Sequence, residues 1–413
     1  MFFIKGKSKV TANKTSSTSY KDSHIREEET ILFKAYSINF IRVPSISSLM
    51  FTLFNYMKKT AKKFCDLLCF ALNSTSYLRK KKHILDNAIQ KILLINLQGI
   101  GDIVMTTPFI SALKEKWPAV EIDYLCYNHN GDLLEGDSRI HAIVKRNKEG
   151  IFNSDFIQTL KNIRKKKYDL IINLFPAQHS ALLTILSNAE YKLGNIYSTA
   201  STSNNLDVPN MPKTWDVREN AKHIAMQLQL EEYDEADLSL ETAEKTSIKN
   251  TIAINPFAAW NAKNWPSERW VECIQNLLKV WKGNIIIFGG PADVEQSKNL
   301  GKIINNKRII NKAGQLTLKQ TAAVLKKCKL FITTDSGLMH IALAVQTKTI
   351  ALFGVTNPDI LVSGANTIEI CSSYNDCPKK YQFNHNNEPQ DYEQECMKKI
   401  SVKQVMAAVE KFL

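Results

Sequence analysis

The sequence predicts an α/β protein made of two Rossmann-like, parallel-sheet halves facing a central cleft, with a basic N-terminal extension in front of them. Three observations predict it. At 413 residues the chain is too long for one ordinary core. From residue 91 onward, short runs rich in Ile, Leu and Val alternate with longer segments at helical spacing, as in a parallel sheet wrapped by helices. That alternation dissolves over 193–216, then starts again at residue 251. The expected division is therefore an extension over 1–90, a first α/β domain over 91–246 and a second over 247–413.

In the first half the candidate strands are 91–97 (KILLINL), 121–126, 141–146 and 169–175, with helices near 103–116, 154–167 and 178–188. The Ser, Thr, Asn and Pro of 193–216 read as a loop overhanging a cleft. A helix near 216–230 and the acidic stretch 231–246 lead to the linker. The second half offers strands at 251–257, 284–290, 308–314, 329–335 and 348–354, with helices at 267–280, 292–304, 317–327 and 337–345. Open parallel sheets bind ligands at the carboxyl ends of their strands, so two facing halves would enclose a cleft lined by those loops.

Residues 1–90 hold 16 Lys/Arg against 6 Asp/Glu, a balance of +10 out of the chain's +14. A basic appendage serves an anionic membrane surface, nucleic acid or solubility, and charge alone does not choose. The first 30 residues lack the apolar core of a secretory signal. Residues 36–57 are more apolar, yet Arg42 and Pro44 make them a poor spanning helix. Over 58–82 apolar residues sit among lysines, which suits a helix lying on anionic headgroups, one packed on the α/β halves, or a loose extension.

The eight cysteines form no C-x-x-C pair and several stand in apolar stretches, the pattern of unpaired structural thiols in a reducing cytoplasm. Cys371, Cys377, His385 and Cys396 lack the spacing of a zinc ribbon.

Three stretches could carry chemistry. In LQGIGDIVMTTP (97–108) a strand ends in a loop whose Gly99 and Gly101 allow a tight turn and close backbone approach, and Pro108 stands near a helix start. A nicotinamide fingerprint would need glycine where Val104 stands and an acid where Cys126 stands. Asp102 then serves either as a general base for a hydroxyl or as a helix-capping residue, a role Thr107 could also fill. In FITTDSGLMHIALAV (331–345) Ser336 and Gly337 open a helix whose amides and dipole attract phosphate, with Asp335 at the strand end and His340 a turn further on. In NPFAAWNAKNWPSERW (255–270) Lys263 precedes a helix expected to be capped by Ser267. It is a cation for a leaving diphosphate or a solvated surface lysine, and Trp260, Trp265 and Trp270 are substrate platforms or packing.

The order of GIGD and TTP around Asp102, K-x-W-P at Lys263–Pro266, D-S-G-x-x-H at Asp335–His340 and ALFGVTNP at 351–358 resembles glycosyltransferase family 9, over about residues 91–413. The resemblance implies a GT-B fold, with the first domain taking the acceptor and the second the nucleotide-sugar donor. It implies an inverting heptosyltransferase of lipopolysaccharide core synthesis, using ADP-heptose and a lipid-linked saccharide acceptor; the alternatives are a transferase of another sugar to a protein or capsule acceptor, or a non-catalytic nucleotide-sugar-binding protein. Asp102 would be the base, flanked by Gly99 and Gly101 in the substrate loop. Lys263, Thr334, Asp335, Ser336, Gly337 and His340 would hold the diphosphate, and Asp293 would lie near the nucleoside. It also implies a cytoplasmic enzyme, peripheral on the inner face of the membrane, with no nucleic-acid partner and no cofactor. The chain contains no Asp-x-Asp, in keeping with metal-independent transfer. Leu338, Val355, Asn357 and Ala258–Ala259 depart from common family residues, which leaves the donor sugar open.

Overall fold

Continuous apolar runs become buried parallel strands because both faces of such a sheet are covered by helices. The computed structural model describes residues 89–147, 153–174, 178–194, 217–230, 250–362, 365, 367–381 and 393–413. The expected extension except for Ile89 and Gln90, the overhanging loop over most of 193–216 and the acidic linker lie outside the described residues.

The first sheet contains β1 (Lys91–Ile95), β2 (Glu121–Tyr127), β3 (Ala142–Arg146), β4 (Leu170–Asn173) and β5 (Tyr191–Gly194), ordered β3-β2-β1-β4-β5 with every pair parallel. The second contains β6 (Thr251–Asn255), β7 (Asn284–Ile287), β8 (Ile309–Asn311), β9 (Leu330–Thr334), β10 (Thr349–Phe353) and β11 (Ile368–Ser372), ordered β11-β10-β9-β6-β7-β8, again all parallel. Counted from its own first strand, the first lobe runs 3-2-1-4-5 and the second 3-2-1-4-5-6, and in both the strand order reverses between the first and fourth strands. Crevices at the carboxyl edge open at such reversals. Here they fall between β1 and β4 and between β6 and β9.

Helices cover both sheets: α1 (Ile100–Met105), α2 (Thr107–Lys116), α3 (Ser154–Lys166), α4 (Gln178–Leu186) and α5 (Val217–Gln227) in the first lobe. The second has α6 (Ser267–Val280), α7 (Val294–Ile304), α8 (Leu318–Leu325), α9 (Gly337–Ala344) and α10 (Val402–Glu410). The helix expected over 103–116 is instead two, starting at Ile100 and broken at Thr106. There Thr106 Oγ1 bonds Ile103 O (2.9 Å) and Tyr124 OH (3.0 Å) and accepts from Asn96 Nδ2 (3.2 Å). Ser267 is not a cap: Pro266 takes that position, and Ser267 Oγ faces Glu268. Strands β5 and β11 and helix α10 were not expected. The strand β5 hides behind Lys192, whose buried ammonium donates to Ile185 O and Ser187 O at 2.9 and 3.0 Å. The strand β11 is an edge strand, mostly half-exposed.

The lobes belong to one compact unit and share a core. Side chains of the first lobe, including Leu134, Val104 and Ile103, continue into Ala322, Leu325, Ile341 and Ala342 of the second. Lys319 Nζ on α8 donates to Glu135 O at 2.6 Å across the join.

The expectation of unpaired thiols fails at one place. Cys377 and Cys396, 19 residues apart in sequence, form a disulfide, because the chain after β11 folds back and brings their Cα atoms to 5.1 Å. Cys126, Cys273, Cys328 and Cys371 are free. Burial pushes each of the four thiols up to about 12, out of the reactive range.

β2 carries a buried charge. Asp123 accepts from Lys166 Nζ (2.5 Å) and Tyr168 OH (2.6 Å) and pairs with His141 Nδ1 (2.9 Å). Burial pushes its carboxyl up, but these hydrogen bonds outweigh burial and hold it below the ordinary carboxylate range. A depressed carboxyl stabilises the fold above its unfolded value and ceases to do so as pH falls through the folded one. Asp123→Asn is therefore expected to cost about 1–3 kcal/mol at pH 7. In urea unfolding the gap to wild type should close below about pH 4.

Candidate active site

The crevice between β6 and β9 is tied together by side chains from the ends of both strands. Asn255, the last residue of β6, is buried and donates through Nδ2 to Phe257 O and to Ser336 Oγ, both at 3.0 Å. Thr334, the last residue of β9, donates to the same Phe257 carbonyl at 3.3 Å. These bonds fix the loop after β6, which carries Lys263, against the Asp335–Gly337 turn. Ser336 stands in extended conformation at the N-cap of α9, and its side chain makes no capping bond. The first turn of α9 thus lacks a side-chain cap, and the positive end of the helix dipole lies at this turn.

Buried Asp335 meets the partly buried Lys263. The carboxylate, 4% exposed, accepts from Lys263 Nζ at 2.7 Å and from Thr356 Oγ1 at 2.7 Å through the same oxygen. Burial opposes its ionisation, and the Lys263 ammonium, the Thr356 hydroxyl and the nearby His340 prevail, so the carboxyl stays below its usual range. Sequence left Asp335 as a cap or a phosphate neighbour. In the structure it orients an ammonium.

Asp102 lies partly exposed in the first turn of α1, beyond the carboxyl end of β1. Its Oδ2 accepts from Gly99 N at 3.1 Å, and Asn96 Nδ2 donates to its carbonyl at 3.2 Å. Gln98, with its amide nitrogen turned toward the carboxylate, donates to both oxygens at 3.2 Å. Asp102 therefore caps its own loop and still presents a carboxylate at the crevice rim. Thr107 does not cap, since its hydroxyl donates to Val104 O at 2.8 Å. Asp293 repeats the arrangement in the second lobe, with Oδ2 accepting from Gly290 N at 2.7 Å after β7.

The two lobes touch where these loops meet. A Cβ on Gly101 would lie 2.6 Å from His340 Cδ2, and one on Gly337 would lie 2.8 Å from Ile100 Cβ. The Gly99 backbone is ordinary extended chain (φ −71°), and positive-φ glycines among the described residues are Gly136 and Gly314. Gly101 is thus required by close approach between lobes, not by a tight turn. It brings the Asp102 turn directly against His340, which is 6% exposed. Gly101→Ala is expected to cost about 1–3 kcal/mol by overpacking. It should also lower transfer about tenfold or more by parting the rims, read by melting temperature and kcat/KM.

The structure brings Asp102, Gly101, Lys263, Thr334, Asp335, Ser336, Gly337 and His340 to one seam, while Asp293 stands after β7 of the second lobe. Gln98, Asn255 and Thr356 were not singled out from sequence. All three lie inside stretches already marked, Gln98 in LQGIGDIVMTTP, Asn255 at the start of NPFAAWNAKNWPSERW and Thr356 in ALFGVTNP, yet an ordinary amide or hydroxyl side chain gave no signal of its own. Trp265 and Trp270 are core residues, crossed edge to face at 5.2 Å.

Comparison with known proteins bears on this geometry. The glycosyltransferase family 9 (heptosyltransferase) profile matches residues 156–391, more than half of the chain. Lipopolysaccharide heptosyltransferase 3 of Escherichia coli is 27% identical over 290 residues, covering 62% of this chain and 81% of that relative. Lipopolysaccharide heptosyltransferase 2 of Salmonella typhimurium is 26% identical over 312 residues, covering 69% and 89%. Among solved structures, a family 9 glycosyltransferase from Veillonella parvula superposes with a TM-score of 0.65 at 21% identity over 79% of this chain and 98% of its own. E. coli heptosyltransferase WaaC with ADP gives 0.64 at 17% identity over 78% and 100%. The paired parallel-sheet lobes are thus the GT-B arrangement, and the chain belongs to glycosyltransferase family 9 and is a glycosyltransferase.

Proposed function

We propose that this enzyme transfers heptose, with inversion, from ADP-heptose to the inner core of a lipopolysaccharide acceptor. One observation carries the reading: the Asp102 turn of the first lobe is seated on His340 of the second, beside the Lys263–Asp335 pair and a first turn of α9 that no side chain caps. A carboxylate there accepts the proton of the acceptor hydroxyl as it attacks the anomeric carbon, and the departing ADP meets a fixed ammonium and helix amides. Lys263, Thr334, Ser336, Gly337 and His340 hold the diphosphate, Asp335 orients Lys263, and Asp293 lies toward the nucleoside. Gly99 and Gly101 shape the acceptor side. Protein charges take the place of a divalent metal at the leaving group.

In this reading residues 91–246 form the acceptor domain and 247–413 the donor domain, while the basic residues 1–90 hold the enzyme on the anionic inner face of the cytoplasmic membrane. Among the described residues no helix is long and apolar enough to cross a membrane. Names of the relatives point to lipopolysaccharide as the acceptor class. A different donor sugar is the second reading, favoured by Ala258 and Ala259 where some heptosyltransferases carry donor-contacting hydroxyls. Purified protein with ADP-heptose and heptose-deficient lipopolysaccharide should release ADP in EDTA. Release from another nucleotide sugar, with none from ADP-heptose, would replace the donor assignment.

A further inference from the structure

Lys263 leaves a single 3-10 turn (Asn261–Lys263) and is held on two sides. Asp335 takes its charge at 2.7 Å, and the ring of Trp260 lies beneath it, with Nζ 4.3 Å from the ring centroid. Trp260 differs from Trp265 and Trp270 in being only partly buried. The Trp260 ring is in turn met edge-on by Tyr381, centroids 5.0 Å apart at 66°. The Tyr381 amide donates to Val355 O at 2.7 Å, next to Thr356, the second partner of Asp335. Tyr381, Val355 and Ala262 pack with the Cys377–Cys396 disulfide in one apolar cluster. Two separate stretches of chain thus converge on one ammonium.

We propose that Trp260 is a positioning residue for the donor diphosphate. Its ring, braced by Tyr381 and the cystine cluster, fixes Lys263 in the crevice by a cation–π contact. This inference rests on the reading above that Lys263 meets the donor's phosphates. A lysine otherwise has three freely turning donors on a flexible four-carbon stem, and a point charge that wanders gives little directed stabilisation. Asp335 limits the ammonium from one side only. The aromatic face supplies the other limit without competing as a full negative charge for the phosphate. The cystine matters because it closes the segment that carries Tyr381.

The test uses the full chain and ADP titrated by calorimetry, with folding checked by thermal melting. Trp260→Leu is expected to weaken ADP about tenfold, while Trp260→Phe, which keeps a ring face, stays within about threefold. In a Lys263→Met background Trp260→Leu should add less than about twofold, because the two act through one contact. Replacing both Cys377 and Cys396 with Ser should weaken ADP several-fold in wild type and not in Trp260→Leu. A full tenfold loss from Trp260→Leu in the Lys263→Met background would make Trp260 merely structural and overturn the proposal, as would no loss at all in wild type. NMR of the lysine ε-methylenes separates this from the donor assignment. The Lys263 protons should be shifted upfield by the ring and return in Trp260→Leu, with or without nucleotide. Absence of that shift overturns the positioning contact, whereas the shift without any ADP binding overturns the donor reading alone.

Discussion

Asp102→Asn is expected to reduce transfer by about 10²–10⁴-fold while ADP binds as before. Asparagine keeps the shape of the side chain and can still accept from Gly99 N and meet Gln98, so the loop and its seat on His340 survive. What is lost is the capacity to hold a proton from the acceptor hydroxyl. The change should appear in kcat, with donor KM nearly unmoved, because the deleted interaction matters mainly at the transition state. ADP release by a coupled assay measures it, alongside calorimetric ADP affinity. A variant retaining more than a tenth of wild-type turnover would move the base elsewhere.

Lys263→Met should damage stability and chemistry together. The Asp335 carboxylate would keep Thr356 and lose its only close cation among the described ion pairs, in a site 4% exposed. Leaving a buried charge without its partner costs about 3–5 kcal/mol, whereas removing both partners is far cheaper. Lys263→Met with Asp335→Asn should therefore recover much of the lost stability in guanidinium unfolding and none of the lost transfer. Proton uptake by the stranded carboxyl lessens its penalty, so the single variant's deficit should shrink toward acid pH. Transfer itself should fall about 10²–10³-fold, the scale for deleting a preorganised charge partner of a leaving group. Recovery of activity in the double variant would show that Lys263 serves Asp335 and not the donor.

The parts of this molecule legible in the sequence are those whose cause is local. Runs such as KILLI and TIAIN must be covered on both faces, and they specify buried parallel strands wherever they occur. The Asp102, Lys263 and Asp335–His340 stretches each mark a loop after a strand, so their convergence follows from the doubly wound order. Long-range partners were not legible. Nothing in a single sequence pairs Asn255 with Ser336 across 81 residues, or Cys377 with Cys396 in place of other thiols. Sequence offers Lys263 as a diphosphate cation or a surface lysine and Trp260 as a platform or packing, but the contact between them is not legible, because it lies in which side chain stands over which. Ser267 misled for a related reason: Pro266 already supplies the helix entry, so the hydroxyl has no amide to cap.

The core that runs unbroken from Leu134 and Ile103 into Leu325 and Ile341 has a consequence for how such enzymes diversify. A lobe exchanged for a relative's would arrive with apolar side chains shaped for a different mate, so such a chimera is expected to lose stability unless the facing core residues travel with it.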